Sequence, residues 1–85
     1  MNMEELVKEL IGAFEEMAMD INNFAKTGEV LKNHMYVGAV VVLATILKNC
    51  DVAVGYEIDI PQMDDGVYKI KRAHINGEDY NFKGE

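Results

Sequence analysis

No serine occurs anywhere in the 85 residues, which excludes the serine triad and the G-x-S-x-G nucleophile elbow. Tryptophan is also missing, and there is one each of cysteine (Cys50), proline (Pro61), arginine (Arg72) and glutamine (Gln62). A lone thiol cannot make an internal disulfide, so nothing covalent compensates for the small core that so short a chain can build. No G-x-G-x-x-G or G-x-x-x-x-G-K-[ST] segment is present, which removes the common nucleotide-binding loops. Basic residues are scarce too. Eight Lys and Arg against fifteen Asp and Glu give a net charge of −7, the wrong sign for a general binder of nucleic-acid backbone. The acidic N-terminus MNMEELVKEL does not read as a signal peptide, and the expected location is the cytoplasm.

What remains is strongly patterned. Met3, Val7, Leu10, Phe14, Met17, Ile21 and Phe24 recur at alternating spacings of four and three, predicting a helix over 3–26 with a broad apolar face. Asn2 with Glu5 suits its N-terminal cap, and Thr27-Gly28 ends it. A second segment, about Glu29 to Asn49, contains MYVGAVVVLATIL, in which Thr45 is the only clearly polar side chain. Its length and its Ala and Leu content favour a helix over a strand. The thirteen apolar residues fall short of the roughly 20 that span a bilayer, so the expectation is a buried helix and no membrane.

From Val52 the period changes to two. Val52, Val54, Tyr56, Ile58 and Ile60 alternate with smaller or acidic residues, predicting a strand that Pro61 stops. A loop over Gln62–Gly66 leads to a second strand, Val67 to Ile75, whose alternation slips unless a bulge falls near Lys71-Arg72. Asn76-Gly77 marks a tight hairpin into a third strand, Glu78 to Lys83. The expected architecture is a single α+β domain over 1–85. Two long N-terminal helices (1–49) are followed by a three-stranded antiparallel meander (50–85).

Length argues for self-association. A helix over 3–26 is about 36 Å long, whereas a compact domain of this size has a diameter of roughly 30 Å. One helix and a small sheet cover only part of an all-apolar second helix, and the rest needs another surface. The expectation is a homo-oligomer, dimer or higher, with the helices shared in a bundle.

Half of the basic residues, Lys69, Lys71, Arg72 and Lys83, fall in the last 17 positions beside His74. Plain alternation sets Tyr68, Ile70, Arg72 and His74 on one face of the second strand. Arg72 offers a planar fork for phosphate, Lys71 and His74 can assist it, and Tyr68, Tyr80 or Phe82 can stack on a base. The alternative is structural, with the cations of the second strand paired to Glu57, Asp59, Glu78 and Asp79 on its neighbours. Cys50, Asp51, His34 and His74 lack metal-ligand spacing, so no metal, cofactor or catalytic nucleophile is expected. Glu4, Glu5, Glu9, Glu15, Glu16 and Asp20 line the outer face of the first helix. Such a row is either a solvated surface or an acidic face that occupies a basic groove.

Size, acidity and the lack of catalytic groups resemble phage-encoded inhibitors of bacterial defence. The helix pair followed by GVYKIKRAHINGEDYNF resembles, more narrowly, the phage Thoeris anti-defence sponge proteins. That resemblance implies a non-enzymatic oligomer that sequesters a cyclic ADP-ribose isomer serving as an immune signal. The site residues rest on strand alternation alone. Two other functions fit the same pattern: an acidic protein-binding inhibitor of a nucleic-acid-binding defence complex, and an oligomeric structural or regulatory module without a ligand.

Overall fold

Asn2 begins the first helix, α1 (Met3–Thr27), by accepting the backbone N–H of Glu5 on its side-chain oxygen at 2.9 Å. Gly28 ends it in the left-handed region at φ 74°, where a side chain would be strained. Glu29 then starts the second helix, α2 (Val30–Asn49), so the two helices form a tight hairpin. This computed structural model describes residues 2–82. Lys83, assigned above to the third strand and to the basic cluster, lies outside the described residues.

Three strands follow: β1 (Val54–Asp59), β2 (Lys69–Ile75) and β3 (Glu78–Asn81). They form an antiparallel meander in the order β1-β2-β3. Asn76 and Gly77 both take positive φ, 53° and 89°, which is the signature of the type I′ turn that matches strand twist. The expected bulge is present. Glu57 pairs with Arg72 and Ile58 with Ile70, so Lys71 is the extra residue on β2. That insertion repairs the face pattern, and Ile70, Ala73 and Ile75 all turn inward.

One core unites both halves of the chain. Phe14, Ala18 and Ile21 of α1 meet Val40, Ala44 and Leu47 of α2, with Val52, Ile70, Ala73, Ile75 and Phe82 beneath them. The molecule measures 40 × 21 × 20 Å, and α1 is long enough to run most of that greatest dimension.

Three expectations need correction. The buried stripe of α1 is Phe14–Ala18–Ile21–Asn22, whereas Met3, which opens the expected apolar stripe, is exposed, as is Leu6 beside it. Ile60 is 75% exposed, since β1 ends at Asp59 ahead of Pro61 and the alternation stops with it. The expected all-round burial of α2 does not hold within one protomer. Only Asn33, Val40, Ala44 and Leu47 are buried on it.

Candidate functional site

The bulge decides what each face of the sheet presents. Beyond Lys71 the alternation is reset, so Arg72 and His74 stand on the outer face while Ile70 and Ala73 stand on the inner one. Tyr80 pairs with Ala73 in register and therefore lies on the inner side, next to Phe82 (ring centroids 6.3 Å apart, planes 6° apart). Tyr68 precedes β2 and sits edge-on to His34 at 5.1 Å. Lys71, the bulge residue, lies with Phe82 in the cleft described below, so the six residues expected to share a site do not meet in one place.

On the outer face, Arg72 donates from Nε to Glu57 at 2.6 Å, and His74 Nδ1 lies 2.6 Å from Asp79. A shallow recess of about 200 Å³ runs between them, bordered by Gly55, Tyr56 and Ala73. Each cation there faces an acid from a neighbouring strand. This is the cross-strand pairing weighed above, with Lys71 and Asp59 adding a third pair at 3.5 Å. All these groups are more than half exposed, where such pairs contribute about 0–1 kcal/mol.

A second cleft, of about 220 Å³, opens between the last turns of α1 and the bulged part of β2. Lys26, Lys69 and Lys71 rim it, Asp59 is the one acid, and Ile70, Phe82 and Asn22 line it. Three cations against one anion make it a basic spot on a chain of net charge −7. Phe82 is 5% exposed, so it serves as an apolar floor rather than a free stacking surface.

Asn22 builds this cleft. Its amide donates to the carbonyls of Ile70 and Phe82, and its oxygen accepts the N–H of Ile70 at 2.9 Å. Asn33, fully buried, does the same one layer away: it donates to Ile21 O and Tyr68 O and accepts Tyr68 N–H at 2.8 Å. Each side chain replaces strand partners that backbone at this point lacks, and no buried side-chain polar atom is left unpaired among the described residues. His34 Nε2 lies 2.6 Å from Gly66 O and pins the loop before β2 to α2. Gly66 is required there, because a Cβ would come within 2.6 Å of Pro61 Cβ.

Two groups titrate away from their ordinary ranges. The Thr27 hydroxyl, and then Lys32, lower the Glu29 carboxyl. Desolvation, followed by the charge of Glu78, raises the Tyr80 phenol. Neither lines the cleft. No group of three or more His, Cys, Asp or Glu side chains suited to a metal occurs among the described residues, and Cys50 is a half-buried C-cap of α2.

Sequence reading missed Lys26, Lys69 as a rim residue, and both asparagines. A signal for the asparagines was available. Asn22 follows Ile21 on the inner face of α1, and Asn33 begins the spacing Asn33, Val37, Val40, Ala44, Leu47. A polar residue on an apolar stripe implies a polar partner. Lys26 had no such signal, because only tertiary folding brings it to β2.

The structure defines a small α+β module, a helical hairpin on a bulged three-stranded meander, with a basic cleft where the two meet. No protein family, curated protein or solved structure matches the chain.

Proposed function

We propose that the chain is a non-enzymatic, cytoplasmic binding protein that captures a small phosphorylated ligand of the cyclic-nucleotide class, as an anti-defence sponge would. The observation that supports this reading is the convergence of Lys26, Lys69 and Lys71 on one cleft of an acidic protein. Lysines at such a rim hold phosphate as mobile point charges, and the apolar floor of Ile70 and Phe82 lowers the local dielectric. At about 220 Å³ the cleft is smaller than a typical ligand pocket of roughly 300–1,000 Å³. It therefore takes the phosphate-bearing end of the ligand, and the remainder lies over its open side. Arg72 and His74 belong to the outer recess and take no part.

Calorimetric titration with cyclic mononucleotides and cyclic ADP-ribose isomers tests this. Lys69→Gln is expected to weaken binding about tenfold, since one charge-assisted contact is worth ~1.4 kcal/mol or more. Arg72→Ala is expected to leave it unchanged. Failure of the wild-type protein to bind, or indifference to Lys69→Gln, overturns the proposal.

A second reading draws on the exposed row Glu4, Glu5, Glu9 and Glu16 along α1. An acidic face of this kind fits a basic groove on another protein. Such binding weakens steeply with salt.

A further inference from the structure

α2 has two apolar stripes on opposite sides, and one protomer uses one of them. The uncovered stripe carries Leu31, Met35, Val42 and Ile46, which are 74, 61, 58 and 40% exposed, with Gly38 and Ala39 at its centre. Val41 flanks it at 45%. None of these positions is charged, and the nearby Thr45 hydroxyl already donates to Val41 O at 3.0 Å. An apolar strip about 22 Å long is more than soluble surfaces ordinarily leave to water.

The order of side chains on the stripe reads the same from both ends: two large, two small, two large. Lay a second α2 antiparallel on the first, with a two-fold axis between Gly38 and Ala39. Leu31 then meets the partner's Ile46, Met35 meets the partner's Val42, and Gly38 meets the partner's Ala39. Gly38 gains a reason as well. Among the described residues nothing lies within 4 Å of a Cβ built there, so their packing does not require glycine in mid-helix. Close approach of a second helix does.

We infer that this stripe is the seat of a two-fold antiparallel homodimer, in which paired α2 helices are backed by the α1 of each protomer. The inference rests on the surface of α2 and is independent of the basic cleft.

The test uses the full chain carrying Cys50→Ala, with mass read by light scattering and geometry read by cysteine cross-linking. The expected mass is that of two chains. Gly38→Cys should oxidise to a disulfide-linked dimer, since its two copies face each other across the axis. Leu31→Cys alone should not, whereas Leu31→Cys mixed with Ile46→Cys should. Val42→Glu buries two like charges in the interface and is expected to weaken the dimer ~100-fold while helix content stays native. Gly38→Leu, harmless to the isolated helix, should weaken it about tenfold. A monomer at every concentration overturns the inference, as does self-cross-linking of Leu31→Cys. Partition into phosphatidylcholine vesicles in place of dimerisation also overturns it, since α2 is long and apolar enough to cross a membrane.

Discussion

α1 and α2 pack against each other over the same core, yet their sequences ask different things of their surroundings. On α1, Phe14, Ala18 and Ile21 are buried while Glu4, Glu5, Glu9 and Glu16 are exposed, and the exposed large apolar residues are Met3, Leu6 and Met19. On α2, the buried Val40, Ala44 and Leu47 have apolar counterparts on the far side, Leu31, Met35, Val42 and Ile46, that are exposed among the described residues. Hydrophobicity in excess of burial on α2 is the surface that the proposed dimer would cover. Comparing the two helices therefore separates apolar residues that the core buries from apolar residues that it leaves exposed.

The sharpest way to break that comparison is to truncate a residue the core relies on. Phe14 is fully buried and packs on Tyr56 at 5.8 Å, so Phe14→Ala is expected to cost about 3–5 kcal/mol in denaturant unfolding. Asn33→Ala comes next. It strands the Tyr68 N–H and the Tyr68 carbonyl and removes a second donor from the Ile21 carbonyl, and an expected loss of about 2–3 kcal/mol follows from the unpaired groups. Leu31→Ser should do least. At 74% exposure its effect on the unfolding free energy of the monomer is expected within about 0.5 kcal/mol, measured at high dilution. A core-sized loss at Leu31 would erase the distinction between the two stripes of α2.

Local features were legible in the sequence. The Asn2 cap, Gly28, the Asn76-Gly77 turn and the bulge at Lys71 each depend on a few neighbouring residues, and each stands where local chemistry put it. The candidate site was read only in part. Alternation counted through Tyr68, Ile70, Arg72 and His74 treats them as one face, but the bulge they themselves require sends Arg72 and His74 outward. Of the six residues, Lys71 and Phe82 reach the basic cleft. Its other cations, Lys26 and Lys69, are 43 positions apart, a separation no periodicity reports.

Asn22 has a consequence for the order in which the chain folds. Its partners Ile70 and Phe82 lie 48 and 60 positions away, whereas the helical hairpin and the β2–β3 hairpin each close within their own stretch of chain. Local units form quickly, and joining distant ones is the slow step. Until the amide of Asn22 reaches those carbonyls, the walls of the basic cleft belong to two separate pieces. A cleft walled by both pieces is therefore complete only once they have docked.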